Sequence, residues 1–282
     1  LGGSGVSQNF EPCEDIIRKS DYDRYAAAVF APKRVRGHLC ALYAFNYEIA
    51  KTSETVSEPL AGQIRLQWWR DAIGELREGK RREHPVVLAL AEVLRAHDLP
   101  QNLFDQMIDA REWDLDEMPF ADMAGLETYA DATSGNLMRL AARVLSAGER
   151  LDEAAREAGI AYAIAGLLRA VPYRAANRRL ALPVASLRAA NVSPESIFAG
   201  ESSAGLAAVF AGMAEAAHAH LRAAREISTP RKFLPTLLPA ALVPLYLNPM
   251  TRAGFNPFRD VVDVPLYRRQ LAMLGAAMRG GL

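Results

Sequence analysis

The stretch GLLRAVPYRAANRRLALP, residues 166–183, combines an apolar helical pattern with several arginines and contains no aspartate or glutamate. Its first residues continue a segment rich in Ala, Ile and Leu, which predicts a helix. Pro172 predicts a break in that helix, because proline cannot donate the backbone hydrogen bond of a helix interior. Three close arginines, Arg174, Arg178 and Arg179, then follow. The segment therefore carries positive charge, without any acid, where a helix is expected to end.

The rest of the chain has the same helical character. From Ser20 onward, helical patterns alternate with short Pro, Gly or Asp signals, and strand alternation is almost absent. After Pro32, the spacing of Leu39, Leu42 and Ile49 predicts a long buried helix. No repeat of fixed period is present. The sequence predicts an all-α, single-domain bundle over residues 20–282, preceded over residues 1–19 by a linker or N-terminal extension that begins LGGSGVSQ.

Composition excludes several classes of protein. The chain has 282 residues, of which 50% are hydrophobic, and its 33 Lys and Arg balance 33 Asp and Glu, so nucleic acid is not expected as a main partner. Cys13 and Cys40 have no metal-ligand spacing and are expected to be ordinary thiols. No signal peptide is expected. The apolar stretch 233–247 is shorter than the roughly 20 residues of a spanning helix and contains prolines, so it is not expected to cross a membrane.

The sequence has no Gly-rich phosphate loop, no HExxH motif and no zinc-spaced cluster. Its five histidines are scattered along the chain. His218 and His220 are two residues apart, so they cannot share one face of a helix. The histidines are therefore expected in the core or on the surface, and not at a metal.

Four segments resemble the squalene/phytoene synthase family: ALYAFNYEIAKTSE, GQIRLQWWRDAI, YADATSGNLMRLA and IAYAIAGLLRAVPYRAANRRLALP. They stand in the order and spacing of that family. The resemblance implies an isoprenoid-synthase-type helical bundle around a central cavity. It also implies two aspartate-rich motifs that face each other and hold Mg²⁺ on prenyl diphosphates, since carboxylates at i and i+4 on two helices can share hard cations with phosphate oxygens.

Both motifs are degenerate in this chain. The first, Asp-Asp-x-x-Asp in the family, falls on residues 50–54, where Ala50 and Lys51 replace aspartates and only Glu54 is acidic. The second, Asp-x-x-x-Asp, has Ala170 and Arg174 at its aspartate positions. A lysine or arginine ~4 Å from a cation is repelled by about 4 kcal/mol per pair of unit charges at an effective dielectric of 20. The resemblance therefore implies that the metal-dependent chemistry is lost.

Other acids near the motifs leave an alternative open. Glu48, Glu54 and Glu58 lie near the first motif, and Asp109, Glu112, Asp114 and Asp116 follow in one later segment. They could form one weak metal site, or they could belong to solvated helix faces.

Within the family, FNYEIAKTSETVSE, IRLQWWRDA and LLRAVPYRAANRRLALP resemble the branch that includes assembly factor 6 of mitochondrial respiratory complex I and its bacterial relatives. That resemblance implies a non-catalytic assembly factor for NADH:ubiquinone oxidoreductase, with assembly intermediates as partners. An assembly factor of this kind is expected to need no cofactor. It also implies a bacterial cytoplasmic location, with peripheral contact at the inner face of the inner membrane. Two alternatives remain: a prenyltransferase that condenses two prenyl diphosphates head-to-head and would need Mg²⁺, and a lipid or prenyl-diphosphate binding module.

Seven basic residues are candidates for binding phosphate without a metal, because arginine binds phosphate oxygens in a bidentate manner. They are Lys51, Arg65, Arg70, Arg169, Arg174, Arg178 and Arg179. The alternative is that they pair with nearby acids or cap backbone carbonyls.

The last helical segment, VPLYRRQLAMLGAAMRG, has two interpretations. It carries Leu266, Leu271 and Leu274 near one side, with arginines at 268, 269 and 279 within reach of phosphates. It could lie on a membrane surface, or it could be a final bundle helix with snorkelling arginines.

Overall fold

Helices account for the regular structure of the chain in a computed structural model, which describes residues 9–56, 58–116 and 118–282. No strand occurs in these ranges, so the all-α prediction is confirmed. The helices are α1 (Glu11–Ser20), α2 (Tyr22–Val29), α3 (Lys33–Ala50), α4 (Thr52–Thr55), α5 (Pro59–Arg77), α6 (Pro85–Ala96), α7 (Gln101–Asp116), α8 (Met123–Ala130), α9 (Asn136–Val144), α10 (Asp152–Ala176), α11 (Val184–Ala189), α12 (Pro194–Phe198), α13 (Ala204–Glu226), α14 (Leu234–Leu237), α15 (Val243–Met250) and α16 (Leu266–Arg279).

Helix starts follow the local signals in the sequence. The Asp21 side chain accepts a hydrogen bond from the backbone N–H of Arg24 at 3.2 Å and caps α2. Pro59 and Pro85 are the first residues of α5 and α6, where the missing N–H has no cost within the helix. These boundaries can be read from the sequence because each depends on a few neighbouring residues.

The predicted linker or N-terminal extension 1–19 contains a packed helix. Helix α1 starts at Glu11 and ends at Ser20, and its Cys13 and Ile17 are fully buried against α3. Residues 11–19 are therefore a packed extension, and the linker interpretation does not hold for them. The i, i+4 pair of buried residues in α1 is too short a pattern to identify this helix as core from the sequence. The LGGSGVSQ segment, predicted as a linker, lies outside the described residues.

Pro172 does not end its helix, which is a second correction. Helix α10 continues from Asp152 through Pro172 to Ala176. The last turn is held by burial of Val171 and Ala175, and the Asn177 side-chain amide donates to the carbonyl of Tyr173 at 2.8 Å. Packing of this turn outweighs the one hydrogen bond that proline removes.

The centre of the bundle is a close crossing between α10 and a π-helical turn, Asp131–Gly135, which joins α8 to α9. A Cβ atom placed on Gly159 of α10 would lie 2.5 Å from the Cα of Gly135. Both backbones therefore approach at a distance that only glycine permits at position 159.

Apolar residues pack in two main clusters on the N-terminal and C-terminal halves of the chain, and polar side chains join the halves.

Residues 231–250 are long and apolar enough to cross a membrane by length and composition, and 72% of the most apolar window is buried within the bundle. This segment contains α14, α15 and two 3₁₀ turns, and it packs against α2, α10 and α16. Its apolar residues have partners within the protein, as expected of a core segment.

The contact between His38 and His97 allows a prediction of how the free energy of unfolding depends on pH. His38 Nδ1 and His97 Nε2 are 2.8 Å apart. Burial lowers the pKa of both imidazoles; His97 lowers the pKa of His38 further, and Glu92 opposes that shift. The unfolded chain therefore binds more protons below about pH 6.5, and the free energy of unfolding should fall as the pH decreases from that value.

Urea unfolding across this pH range tests the prediction. The variant carrying His38→Gln and His97→Gln should lose less stability than the wild type between about pH 7 and pH 5.5. An identical pH dependence in the two proteins would contradict the assignment to these histidines.

Candidate functional site

The first motif position lies where α3 ends and α4 begins. Ala50 is the last residue of α3, Lys51 caps it, and Glu54 is exposed on α4. Lys51 Nζ lies 2.5 Å from Oε1 of Glu48, and Arg65 donates to Oε2 of the same carboxylate at 3.1 Å. Glu48 is only 5% exposed. Two basic residues thus neutralise the buried acid closest to the first motif.

The second motif position lies on the last two turns of α10. Arg174 NH2 is 3.6 Å from Oδ1 of Asp114 on α7. One turn earlier, the Arg169 guanidinium lies 4.0 Å from the centre of the Tyr246 ring, in cation–π geometry. The motif helix therefore presents guanidinium groups that are already engaged by α7 and α15.

One residue from each motif position, Glu54 and Arg174, lines a shared cleft of about 240 Å³. Its lining residues are Ser53, Glu54, Tyr173, Arg174, Asn177 and Arg179. Arg174 and Arg179 also line a small adjoining pocket with Trp113, Asp114 and Phe120. Where the family resemblance implies a pair of facing carboxylate groups, this cleft has two arginines and one glutamate.

The structure brings together only some of the seven predicted basic residues. Arg174 and Arg179 line the cleft, and Lys51 and Arg65 share Glu48 nearby. Arg70 pairs instead with α7, 2.5 Å from Asp109. Arg178 lies over the Phe198 ring at 5.1 Å. Arg70 and Arg178 are therefore not among the residues that line the cleft: Arg70 lies on α5 and contacts α7, and Arg178 lies in the turn after α10 and contacts Phe198.

The acids considered as substitute metal ligands are largely engaged by arginine. Arg70 contacts both Asp109 and Glu112, and Arg111 donates to Asp114 at 3.1 Å. Tyr129 also donates its hydroxyl to Asp114 at 2.8 Å. Within residues 9–56, 58–116 and 118–282, no three His, Cys, Asp or Glu side chains form a group that could hold a metal ion.

A buried polar centre on Asp23 escapes the sequence prediction. Its Oδ2 accepts hydrogen bonds from the hydroxyls of Tyr246 at 2.5 Å and Tyr162 at 3.2 Å, and its Oδ1 accepts from Arg269 at 2.8 Å. Burial and the nearby Asp23 carboxylate raise the pKa of Tyr246, which keeps this donor protonated. In the sequence Asp23 is one aspartate in the polar run DYDR at a helix start, which does not identify distant partners.

Arg24 extends this polar centre towards the π-helical turn. It donates to Asp21 at 2.5 Å and to the Ser134 hydroxyl at 3.2 Å, and it lies over the Tyr162 ring. Burial disfavours the charged guanidinium, but Asp21 and neighbouring tyrosines raise the pKa of Arg24 above its usual value. The interior therefore retains a fixed cation.

The residues at the motif positions do not fit a magnesium–diphosphate cluster. Mg²⁺ takes oxygen ligands, mainly carboxylates, phosphates and water. Ala50 and Ala170 offer none, and Lys51 and Arg174 bring positive charge to the remaining positions. Glu48 and Asp114, the nearest buried carboxylates, are held by ion pairs.

Restoring the motifs should create a metal site. A variant with Ala50→Asp, Lys51→Asp, Ala170→Asp and Arg174→Asp is expected to bind Mg²⁺ in the presence of pyrophosphate, because it restores two carboxylates at each motif position, and Glu54 and Arg174 of the two positions line one cleft. Isothermal titration calorimetry measures the binding. The matched variant with asparagines at the same positions should bind no Mg²⁺; equal heats from both variants would contradict the motif assignment.

Fold and site together define a class of protein: an isoprenoid-synthase-type bundle with alanine, lysine and arginine, and no aspartate, at residues 50, 51, 170 and 174. The crystal structure of a dehydrosqualene synthase in complex with a ligand matches with a TM-score of 0.86, at 19% identity, over 97% of this chain and 96% of that one. This similarity shows a shared fold.

Sequence comparisons give the family. The squalene/phytoene synthase profile matches residues 17–270. NADH dehydrogenase (ubiquinone) complex I, assembly factor 6, of Mus musculus is 31% identical over 259 residues, or 91% of this chain and 78% of the mouse protein. Phytoene synthase of Rhodobacter capsulatus is 25% identical over 196 residues, or 68% of this chain and 57% of that enzyme. The chain belongs to the squalene/phytoene synthase family, in the branch that includes complex I assembly factor 6.

Proposed function

We propose that this chain is a non-catalytic assembly factor for respiratory complex I. In this proposal it is cytoplasmic in a bacterium, acts on assembly intermediates at the inner face of the inner membrane, and uses neither a cofactor nor nucleic acid. The observation that carries the proposal is that Arg174 lines the cleft, and Lys51 pairs with Glu48 beside it, at positions where the family resemblance implies magnesium ligands. Identity of 31% to the mouse assembly factor supports the role.

The absence of catalysis is tested directly with substrate. Pure protein is incubated with labelled farnesyl or geranylgeranyl diphosphate, Mg²⁺ and NADPH, and the organic extract is analysed. We expect no squalene- or phytoene-type hydrocarbon, because no carboxylate pair is available to stabilise the departing diphosphate through metal ions. Any such product would establish the prenyltransferase alternative.

The assembly role is tested by complementation. Deletion of the gene in its host should reduce NADH:quinone oxidoreductase activity and cause partial complexes to accumulate on native gels. The wild-type chain should restore assembly, and so should Glu54→Gln, which removes the last acid of the first motif. Failure of the deletion to affect the complex would contradict the assembly role, whereas failure of Glu54→Gln alone would point to a metal-dependent function.

A second candidate function is the binding of an anionic amphiphile, such as a phospholipid or prenyl diphosphate. The observation that favours it is the cleft of about 240 Å³ that contains Arg174, Arg179 and the Asn177 amide. Guanidinium groups bind phosphate oxygens without a metal. The Glu54 carboxylate in the same cleft opposes an anion.

Thermal-shift titration with farnesyl diphosphate tests this second function. The melting temperature should rise equally with and without Mg²⁺, and the combined Arg174→Gln and Arg179→Gln variant should lose the rise. Arg222→Gln, an exposed arginine on α13, is the control. No rise for the wild type in either condition would remove the ligand proposal.

A further inference from the structure

Helix α16 exposes an apolar stripe that the bundle does not use. Tyr267, Leu271, Leu274 and Met278 occur at i, i+4, i+7 and i+11, so they share one face of the helix. Their exposed fractions lie between 45% and 71%. We call this face the outer stripe. Large apolar side chains aligned in this way on a surface indicate an interaction site and not a random distribution.

The opposite face of α16 already anchors the helix. Met273 and Ala276 are fully buried, and Arg269 forms its ion pair with Asp23. The outer stripe is therefore not needed to hold α16 in place. Leu266, the first residue of α16, and Val261, in the segment before it, are also exposed, with exposed fractions of 47% and 88%.

Charge on α16 indicates what the outer stripe contacts. The helix contains Arg268, Arg269 and Arg279 and no acidic residue. Arg269 is engaged inside the bundle, whereas Arg268 and Arg279 are exposed and lie on the same flank of the stripe, since each follows a stripe residue by one position. An apolar face with arginines along one edge is typical of helices that lie in the headgroup region of anionic membranes.

We propose that α16 docks on an anionic lipid bilayer through the outer stripe, with Leu271, Leu274 and Met278 at the acyl boundary. Tyr267 reaches headgroup depth, where aromatic side chains concentrate. Arg268 and Arg279 contact lipid phosphates. The proposed function includes contact with a membrane, and this inference rests on that part of it. The inference names the residues that make the contact, and none of them belongs to the two motif positions.

Vesicle flotation tests the docking surface. Full-length protein should float with vesicles of phosphatidylcholine mixed with phosphatidylglycerol, and not with phosphatidylcholine alone. The combined Leu271→Ser and Leu274→Ser variant should bind at least about tenfold more weakly, because two partly inserted side chains are lost. Arg268→Gln and Arg279→Gln should each weaken binding about fivefold, as expected for one basic residue near an anionic surface.

Matched controls lie on α5. Leu60 and Ile64 are as exposed as the stripe residues, so Leu60→Ser with Ile64→Ser should leave vesicle binding unchanged. Circular dichroism melts should be equal for all variants, because every changed side chain is on the surface. Equal binding by the Leu271→Ser, Leu274→Ser variant and the wild type would overturn the proposal.

A site-specific label shows whether the stripe itself enters the bilayer. Burial raises the pKa of the thiols of Cys13 and Cys40 to about 12, so both are unreactive and a single surface cysteine can be labelled. An environment-sensitive fluorophore on Met278→Cys should shift to shorter wavelength with phosphatidylglycerol vesicles, and the same label on Ile64→Cys should not.

Two outcomes would assign the outer stripe differently and overturn the lipid proposal. Wild-type protein that ignores phosphatidylglycerol vesicles but sediments as a dimer, with Leu271→Ser and Leu274→Ser monomeric, would make the stripe a self-association surface. Equal flotation with both lipid mixtures would show that the charges of Arg268 and Arg279 do not contribute to membrane binding.

If the stripe variant fails to float but still restores complex I, the assembly role does not depend on this contact.

Discussion

Asp23→Ala is expected to lower the free energy of unfolding by about 3–5 kcal/mol, the usual cost of removing one partner from a buried ion pair. Three donors, on Tyr162, Tyr246 and Arg269, would lose their common acceptor. Leaving buried donors unpaired costs more than the hydrogen bonds themselves contribute. Because Arg269 belongs to α16, the last helix should also detach more readily from the bundle. Urea denaturation followed by circular dichroism measures the loss.

Two further variants separate this effect from a general loss of charge. Asp15→Ala removes an exposed ion pair with Arg18 on α1 and should cost less than about 1 kcal/mol. Combining Asp23→Ala with Arg269→Met should recover part of the loss, since no uncompensated cation remains. A loss for Asp23→Ala no greater than that for Asp15→Ala would show that the polar centre does not hold the bundle together.

Gly159→Ala is expected to lower the free energy of unfolding by about 1–3 kcal/mol or more, the range for inserting atoms into a packed core. The new methyl group would lie 2.5 Å from the Cα and 2.6 Å from the backbone N of Gly135. These are backbone atoms of the π-helical turn, so no side-chain rotation can relieve the contact. The helices must move apart.

Gly166→Ala on the same helix is the matched control. Gly166 is exposed, and nothing lies within 4 Å of an added Cβ. Alanine should therefore stabilise α10 by about 0.5–1 kcal/mol through its higher helix propensity. Opposite signs for two identical substitutions on one helix would establish the close crossing; equal destabilisation by both would contradict the assignment of the loss to the contact with Gly135.

The candidate site was predictable in part. The sequence shows no acidic residue at positions 50, 51, 170 and 174, which the family resemblance aligns with aspartates, and the structure brings Glu54 and Arg174 to one cleft. The side-chain contacts of Arg70 and Arg178 could not be predicted from the sequence. Each lies within a short distance of a motif along the chain, but the direction of a side chain depends on which helix packs beside it.

The sequence by itself determined the helical class and the starts of helices such as α5 and α6, since each follows from residue type or from neighbours a few positions away. Only the tertiary structure decided that α10 continues through Pro172 and that α16 buries one apolar face while exposing another. The same holds for Asp23 and Arg269, which are 246 residues apart in the chain and meet in the core. Periodicity is a local property, whereas the choice of a buried partner depends on the packing of the whole bundle.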